Sequence, residues 1–304
     1  MHRCMTTLAA IAAGASLFLL AAAAAASEQD FTKIEKGRYL VTAGDCAACH
    51  TVPGSGRPFA GGRPIETPFG NITSANITPD NGTGIGAWTD EQFDNAVRKG
   101  IRPDGSRLYP AMPFNAYTKM SRDDVAAIRA YLKTLPAVHN PVETNTLPFP
   151  FNIRLSMRAW DALYFTEGEF KPDPQKSAEW NRGAFLVQGP GHCGACHTPK
   201  SFLGGDKNGE YLQGSQLQGW VTPNITNDNV AGLGIWSTDD VVTYLRTGHN
   251  RITAATGPMA AEIEDSSSKM TDGNLKAIAA YLKSLPGRSE IIPPLKADDP
   301  MMTA

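Results

Sequence analysis

Two copies of one pentapeptide constrain this chain more than anything else in it. Cys46-Ala47-Ala48-Cys49-His50 and Cys193-Gly194-Ala195-Cys196-His197 are both C-x-x-C-H. Whatever surrounds them, the fold must present two thiols one helical turn apart with an imidazole directly behind, at two places. That order of groups is the attachment signature of c-type haem: the thiols add across the two vinyl groups, and the imidazole reaches the iron from the same turn. A C-x-x-C pair by itself also fits a redox dithiol, a disulfide or half of a zinc site, and the two motifs together offer enough ligands for one zinc. The histidine that follows the second cysteine both times selects haem. Four of the five cysteines lie in the motifs, and the fifth, Cys4, lies in a leader expected to be removed, so the mature chain is expected to hold no free thiol.

The chain also repeats itself at long range. Cys46 maps to Cys193 and His50 to His197, 147 residues on; Asn76-Ile77-Thr78 maps to Asn224-Ile225-Thr226 and Trp88 to Trp236, 148 on; Ala130-Tyr131-Leu132-Lys133 recurs as Ala280-Tyr281-Leu282-Lys283, 150 on. Spacing this long means duplicated domains rather than a solenoid. The organisation predicted is a secretory leader over 1–26, a first domain over 28–136, a linker with a short helix over 137–178, a second domain over 179–286 and a tail over 287–304. The fold class expected is all-α and loop-rich, with 29 Gly and 22 Pro, each domain wrapped around one haem that serves as a large apolar core piece.

Each copy carries the same helix plan. A first helix leads into the motif, Phe31 to Ala43 and Ala178 to Gln188, each with a glycine (Gly37, Gly183) where another helix can come close. A second follows Trp88 and Trp236; Thr89 with Gln92 forms a capping box, Phe93, Val97 and Ile101 line one face, Val241, Val242 and Leu245 do so in the other copy, and Gly100 and Gly248 fit the helix ends. A last helix starts at Ser121, with Asp124 three on, and at Thr271; it buries Val125, Ile128, Leu132 and Leu135, or Leu275, Ile278, Leu282 and Leu285, and stops before Pro136 and Pro286. Trp88 and Trp236 serve either a haem propionate or the core.

A haem iron with one histidine takes a second axial group or stays open, and methionine is the soft choice that raises the potential. Met112 stands 62 residues after His50, and Met259 stands 62 after His197. Met112 sits in Tyr-Pro-Ala-Met-Pro and Met259 in Gly-Pro-Met-Ala, both read as stiff loops. Met120 and Met270 are also equivalent, but each immediately precedes a helix N-cap, where a hydrophobic staple is the ordinary role; they are the fallback ligands. The loop from Met259 to Met270 is three residues longer than its counterpart. His192, His249 and His139 lack repeat partners and read as surface or loop residues, and Asp45 and Arg102 are placed to tune charge near the first haem.

Arg3 followed by an apolar, Ala-rich run from Leu8 to Ala26 reads as a secretory signal cleaved before Ser27, the alternative being an uncleaved anchor. Export suits covalent haem attachment and places the chain in the periplasm, soluble or peripherally attached. A net charge of −2 with 19% charged residues and no basic block argues against nucleic acid. In the linker, Leu155, Trp160, Leu163 and Tyr164 form a stripe at helical spacing, read as packing across the two domains or, more sharply, as a docking face for a partner subunit or membrane.

Several stretches resemble one family: Lys36-Gly37-Arg38-Tyr39-Leu40, Asn76-Ile77-Thr78-Pro79-Asp80, Gly84-Ile85-Gly86-Ala87-Trp88-Thr89, Tyr109-Pro110-Ala111-Met112-Pro113 and Gly191-His192-Cys193-Gly194-Ala195-Cys196-His197-Thr198-Pro199-Lys200. Over nearly the whole mature chain it is similar to the cytochrome c subunits of membrane-associated bacterial alcohol, aldehyde and gluconate dehydrogenases. The resemblance implies class I cytochrome c domains, His50 and His197 as proximal ligands and Met112 and Met259 as distal ones. Members of that family usually carry three haem motifs, and this chain carries two.

The leading expectation is electron transfer from a quinoprotein or flavoprotein dehydrogenase to a quinone or terminal oxidase, with two covalent haems c and no catalytic residue. The alternative is a di-haem enzyme with one open or labile iron, a peroxidase or thiosulfate dehydrogenase, for which the second haem is the better candidate. A third and weaker reading is a redox-sensing or metal-binding module without haem.

Overall fold

The computed structural model describes residues 32–142 and 145–287. The expected leader, Cys4, and the tail beyond Gly287 lie outside the described residues. The order of elements is helix α1 (32–43), α2 (Cys46–His50), strands β1 (Pro64–Thr67) and β2 (Gly70–Thr73), α3 (Asp90–Lys99), α4 (Phe114–Tyr117), α5 (Arg122–Leu132), α6 (Met157–Tyr164), α7 (Ala178–Gln188), α8 (Gly194–His197), β3 (Gln213–Leu217), β4 (Trp220–Asn224), α9 (Thr238–Thr247), α10 (Gly257–Asp265) and α11 (Asp272–Ser284). The chain is mostly helix and loop.

The helix ends follow the local chemistry read from the sequence. Thr89 and Gln92 cap α3 reciprocally, Ser121 and Asp124 cap α5, and Ser237 and Asp240 cap α9. Gly100 and Gly248 close α3 and α9 in the left-handed conformation, with φ of 64° and 79°, where a side chain is disfavoured.

The two halves are framed alike. A Cβ built on Gly37 falls 1.9 Å from the Ala127 carbonyl oxygen and 3.0 Å from the Tyr131 Cβ; one built on Gly183 falls 1.8 Å from the Ala277 oxygen and 2.9 Å from the Tyr281 Cβ. Helix α1 therefore lies directly on α5, and α7 on α11, at separations that only glycine permits. Leu40, Phe93, Val97, Met120, Val125, Ile128 and Leu132 form one buried cluster; Leu186, Val241, Met270, Leu275, Ile278 and Leu282 form the other. Each such fully buried side chain contributes about 1.5–3 kcal/mol of burial free energy. Met120 and Met270, buried at the foot of the last helices, belong to these clusters.

The halves also exchange side chains. Tyr39 and Ala43 of α1 pack into the second cluster, and Phe185 of α7 touches both. The Tyr39 hydroxyl accepts from the Asn274 side-chain amide and lies 3.4 Å from the Thr271 backbone N–H. Trp160 of α6 stacks edge-on near Phe114, with ring centroids 6.2 Å apart, and its indole N–H donates to the Leu203 carbonyl at 3.0 Å. The linker helix thus packs across both halves. Its stripe is divided, however: Trp160 is 7% exposed, whereas Leu155 and Leu163 are 68% and 67% exposed.

The chain is mostly helical and loop-rich, as the all-α expectation has it, with one addition. Each half contains a two-stranded antiparallel hairpin, β1–β2 with Pro64 opposite Thr73, and β3–β4 with Gln213 opposite Asn224. The strands are four or five residues long. Gly70 at φ 117° and Gly219 at φ 79° supply the positive-φ backbone at the turns.

Candidate haem-attachment sites

Helix α2 carries Cys46, Cys49 and His50, and α8 with its preceding residue carries Cys193, Cys196 and His197. The hairpins hold both turns in the same way. The His50 Nδ1 lies 2.7 Å from the Ala75 carbonyl oxygen, and the His197 Nδ1 lies 2.8 Å from the Pro223 carbonyl oxygen. Ala75 lies two residues beyond the first hairpin, and Pro223 lies in the return strand of the second. A carbonyl can only accept, so Nδ1 carries the proton and Nε2 is the lone-pair nitrogen, the tautomer required of a ligand. Burial lowers the pKa of both imidazoles, which keeps them neutral and able to bind a metal. The same turns are held by two further bonds: Arg63, just before β1, donates to the Ala48 carbonyl, and the Thr222 hydroxyl of β4 donates to the Cys196 carbonyl at 2.8 Å.

The repeated Asn-Ile-Thr triplet has a local role in this arrangement. The Asn76 side-chain oxygen accepts from the Thr78 backbone N–H at 3.0 Å and hydroxyl at 2.8 Å; Asn224 does the same for Thr226 at 2.8 Å and 2.8 Å. These turns fix the chain next to the carbonyls that orient the two histidines.

The donor set fits covalent haem. The four motif cysteines form no disulfide with one another. Burial pushes the Cys46 and Cys193 thiols up to about 12. Among the described residues no three His, Cys, Asp or Glu side chains converge to hold a metal ion, and the pooled four-ligand zinc arrangement is not assembled. With haem attached, Cys46, Cys49, Cys193 and Cys196 would hold it, and His50 and His197 would supply the proximal nitrogen.

The methionines differ between halves. Met112, just before α4, packs against the first cluster, where Cys46 also packs. Met259 does not lie in a loop, as its sequence suggested. It sits in the first turn of α10, whose start is set by left-handed Gly257 and by Pro258. The three extra residues of this segment complete a nine-residue helix where the first half has only the four-residue α4. Helix α10 packs against α9 and against α2 of the other half.

His192 also departs from expectation. It is half-buried, its ring centroid 5.6 Å from that of Tyr117 at 77°. It has a repeat partner after all, Asp45, 147 residues earlier. Both precede the first cysteine of their motif and both adopt positive φ, 50° at Asp45 and 35° at His192. Burial first, then Glu262 and Asp265, raises the Asp45 carboxyl to about 8. Arg102 stands apart on an exposed turn, 4.0 Å from Asp104. His139 is exposed beside Asp80, and His249 folds back on Thr247. Trp88 and Trp236 pack at the margins of the two clusters.

A mostly helical, loop-rich scaffold that presents paired cysteines one turn apart with an oriented imidazole behind them has the features of a carrier of covalently bound haem c. Comparison with known proteins names the family. A cytochrome c profile matches residues 34–136. The chain is 45% identical over 259 residues to the fructose dehydrogenase cytochrome subunit of Gluconobacter japonicus, covering 84% of this chain and 53% of that protein. It is 43% identical to the gluconate 2-dehydrogenase cytochrome c subunit of Pantoea cypripedii, over 83% of this chain and 59% of that one. It is 37% identical to a diheme cytochrome c-type protein of Cereibacter sphaeroides, over 83% of this chain and 85% of that one. The chain belongs to the cytochrome c family. It spans little more than half the length of the two dehydrogenase subunits.

Proposed function

We propose that this chain is a periplasmic di-haem cytochrome c. It consists of two tandem cytochrome c domains, residues 28–136 and 179–286, and passes electrons from a partner dehydrogenase of the alcohol, aldehyde or gluconate type toward a quinone or terminal oxidase. The observation that carries the reading is the duplicated clamp, in which His50 and His197 each give Nδ1 to a carbonyl delivered by the local hairpin. Bound haem supplies an iron that alternates between ferrous and ferric states. The residues around it attach it, hold the proximal imidazole in one tautomer and bury it in an apolar cluster. Relatives named as subunits of fructose and gluconate dehydrogenases support a dehydrogenase partner. Among the described residues no helix is long and apolar enough to cross a membrane.

The reading is tested by purifying the native protein with whatever binds it. Co-purification with a quinoprotein or flavoprotein dehydrogenase, and reduction of the haem absorbance when that enzyme's substrate is added, is the expected result. A free monomer that turns over peroxide or thiosulfate contradicts it.

One observation favours the second reading, an enzyme with a labile iron. Met259 lies on α10, which packs against the first motif's helix. Replacing Met259 with Leu and watching the sulfur-to-iron charge-transfer band separates the two. Loss of part of the band keeps Met259 as a ligand and the chain as a carrier; an unchanged band removes Met259 from the ligand set and leaves the second iron for chemistry.

A further inference from the structure

Elements of each half reach the attachment motif of the other. Helix α10 of the second half packs against α2, which carries the first motif. A single aromatic pair bridges the motifs. The Tyr117 hydroxyl, at the end of α4, donates to the Gly44 carbonyl at 2.6 Å. Gly44 stands two residues before Cys46, and a Cβ built on it lies 3.5 Å from the Cys46 Sγ and 3.8 Å from the Tyr117 hydroxyl oxygen. On its other side the Tyr117 ring meets His192, which is bonded directly to Cys193. Tyr117 is 6% exposed. The His192 Nδ1 lies 2.9 Å from the Pro190 carbonyl oxygen, which holds the ring in place.

This bridge has no copy at the symmetry-related position. Where His192 faces Tyr117, its repeat partner Asp45 faces the acidic residues Glu262 and Asp265 of α10. Helix α4 of the first half thus reaches the second motif with an aromatic ring, while α10 of the second half reaches the first motif with carboxyl groups. A duplicated frame would have given the same contact twice; the difference singles out Tyr117 and His192.

We propose that the Tyr117–His192 ring contact is the coupling element between the two haem-attachment motifs, fixing their separation and providing the packed route by which an electron crosses between the halves. The inference rests on the di-haem reading. With haem bound in both halves, one electron would pass from a ferrous iron in one half to a ferric iron in the other, with no bond formed or broken and no proton moved. Electronic coupling falls steeply across gaps and less steeply through packed and bonded atoms, so a filled contact between the motifs matters more than their mere proximity. Burial keeps both groups uncharged, with the tyrosine hydroxyl held protonated and the imidazole held neutral. Tyr117 and His192 are positioning residues and exchange no electron with a substrate.

The test uses the full-length holoprotein and the variants Tyr117→Leu and His192→Asn; asparagine suits the left-handed backbone at position 192. After pulse reduction, the rate at which the two haems equilibrate is followed optically, alongside both midpoint potentials and the sulfur-to-iron band. Each variant is expected to equilibrate severalfold more slowly than the native protein with potentials and band retained, and the double variant no more slowly than the slower single one, because both changes remove one contact. A native equilibration rate in His192→Asn, with two haems attached, overturns the inference and leaves the di-haem reading standing; this variant decides the matter alone if Tyr117→Leu does not fold. Fewer than two haems per native chain, read from its intact mass, overturns the reading beneath it.

Discussion

The two halves share a frame and part company between the methionine and the last helix. In the first half Met112 is followed within two residues by α4, a single turn whose tyrosine crosses to the other motif. In the second half Met259 lies inside α10, whose Glu262 and Asp265 face back toward Asp45. The shared parts are the crossed helices, the thiol turn and the carbonyl that orients the histidine. The divergent parts lie where the halves meet. The two motifs are therefore held alike, and the junction between the halves is where their surroundings differ.

The largest expected effects follow from that equivalence. Replacing Cys46 and Cys49 with Ala, or Cys193 and Cys196, is expected to remove one haem in each case and leave the other, read as half the haem absorbance per chain. Loss of both haems from either pair would break the comparison, because it would make one site depend on the other. Next come the crossing glycines. Gly37→Ala and Gly183→Ala each drive a methyl group into a carbonyl, and each is expected to lower stability by about 1–3 kcal/mol or more, measured by the denaturant midpoint. Similar losses support equal frames, while a tolerated substitution in one half would show that its helices can separate.

The interface predicts opposite pH behaviour at equivalent positions. The Asp45 carboxyl is raised from 3.8 to about 8. The folded protein therefore keeps a proton that the unfolded chain gives up, and this residue's contribution to stability falls as pH rises from 3.8 through about 8. Asp45→Asn is expected to flatten that decline. His192 is lowered from 6.5, so the unfolded chain takes up a proton that the folded protein refuses, and stability falls as pH drops below 6.5. His192→Asn is expected to flatten the acid limb instead. Thermal melts across pH check both, and the same slope in both variants would deny the asymmetry. The smallest effect is at the caps. Thr89→Ala and Ser237→Ala each remove a capping-box oxygen and are expected to cost about 1 kcal/mol apiece in a chemical melt; a loss in only one half would mark that helix as the more firmly held by its packing.

What could be read in the chain was local. The two C-x-x-C-H turns, the capping boxes at Thr89 and Ser121, and the glycines that admit a crossing helix declare themselves within a few residues, because backbone sterics and neighbouring side chains decide them. The hairpins did not. Their strands are short and polar, Pro-Ile-Glu-Thr and Gly-Asn-Ile-Thr in the first half, with too little alternation to stand out from loop. With the hairpins went the partners of His50 and His197, since a backbone carbonyl 25 or 26 residues away carries no side-chain signature. Helix α10 was hidden by Gly257 and Pro258, which read as loop punctuation but here start a helix. His192 was read as a surface residue without a counterpart because its counterpart is an aspartate; the shared positive φ, not the residue type, reveals the pair. Repeat spacing alone, carried through to position 45, would have found it.

We propose two haems joined covalently to one chain, one at each clamped histidine. Intact mass of the exported protein, made in a host that matures c-type cytochromes, tests this most directly. The predicted mass is that of the mature polypeptide plus two haem groups, with a haem peptide recovered around Cys46–His50 and another around Cys193–His197. A mass equal to the bare polypeptide, or one haem confined to a single motif, contradicts it.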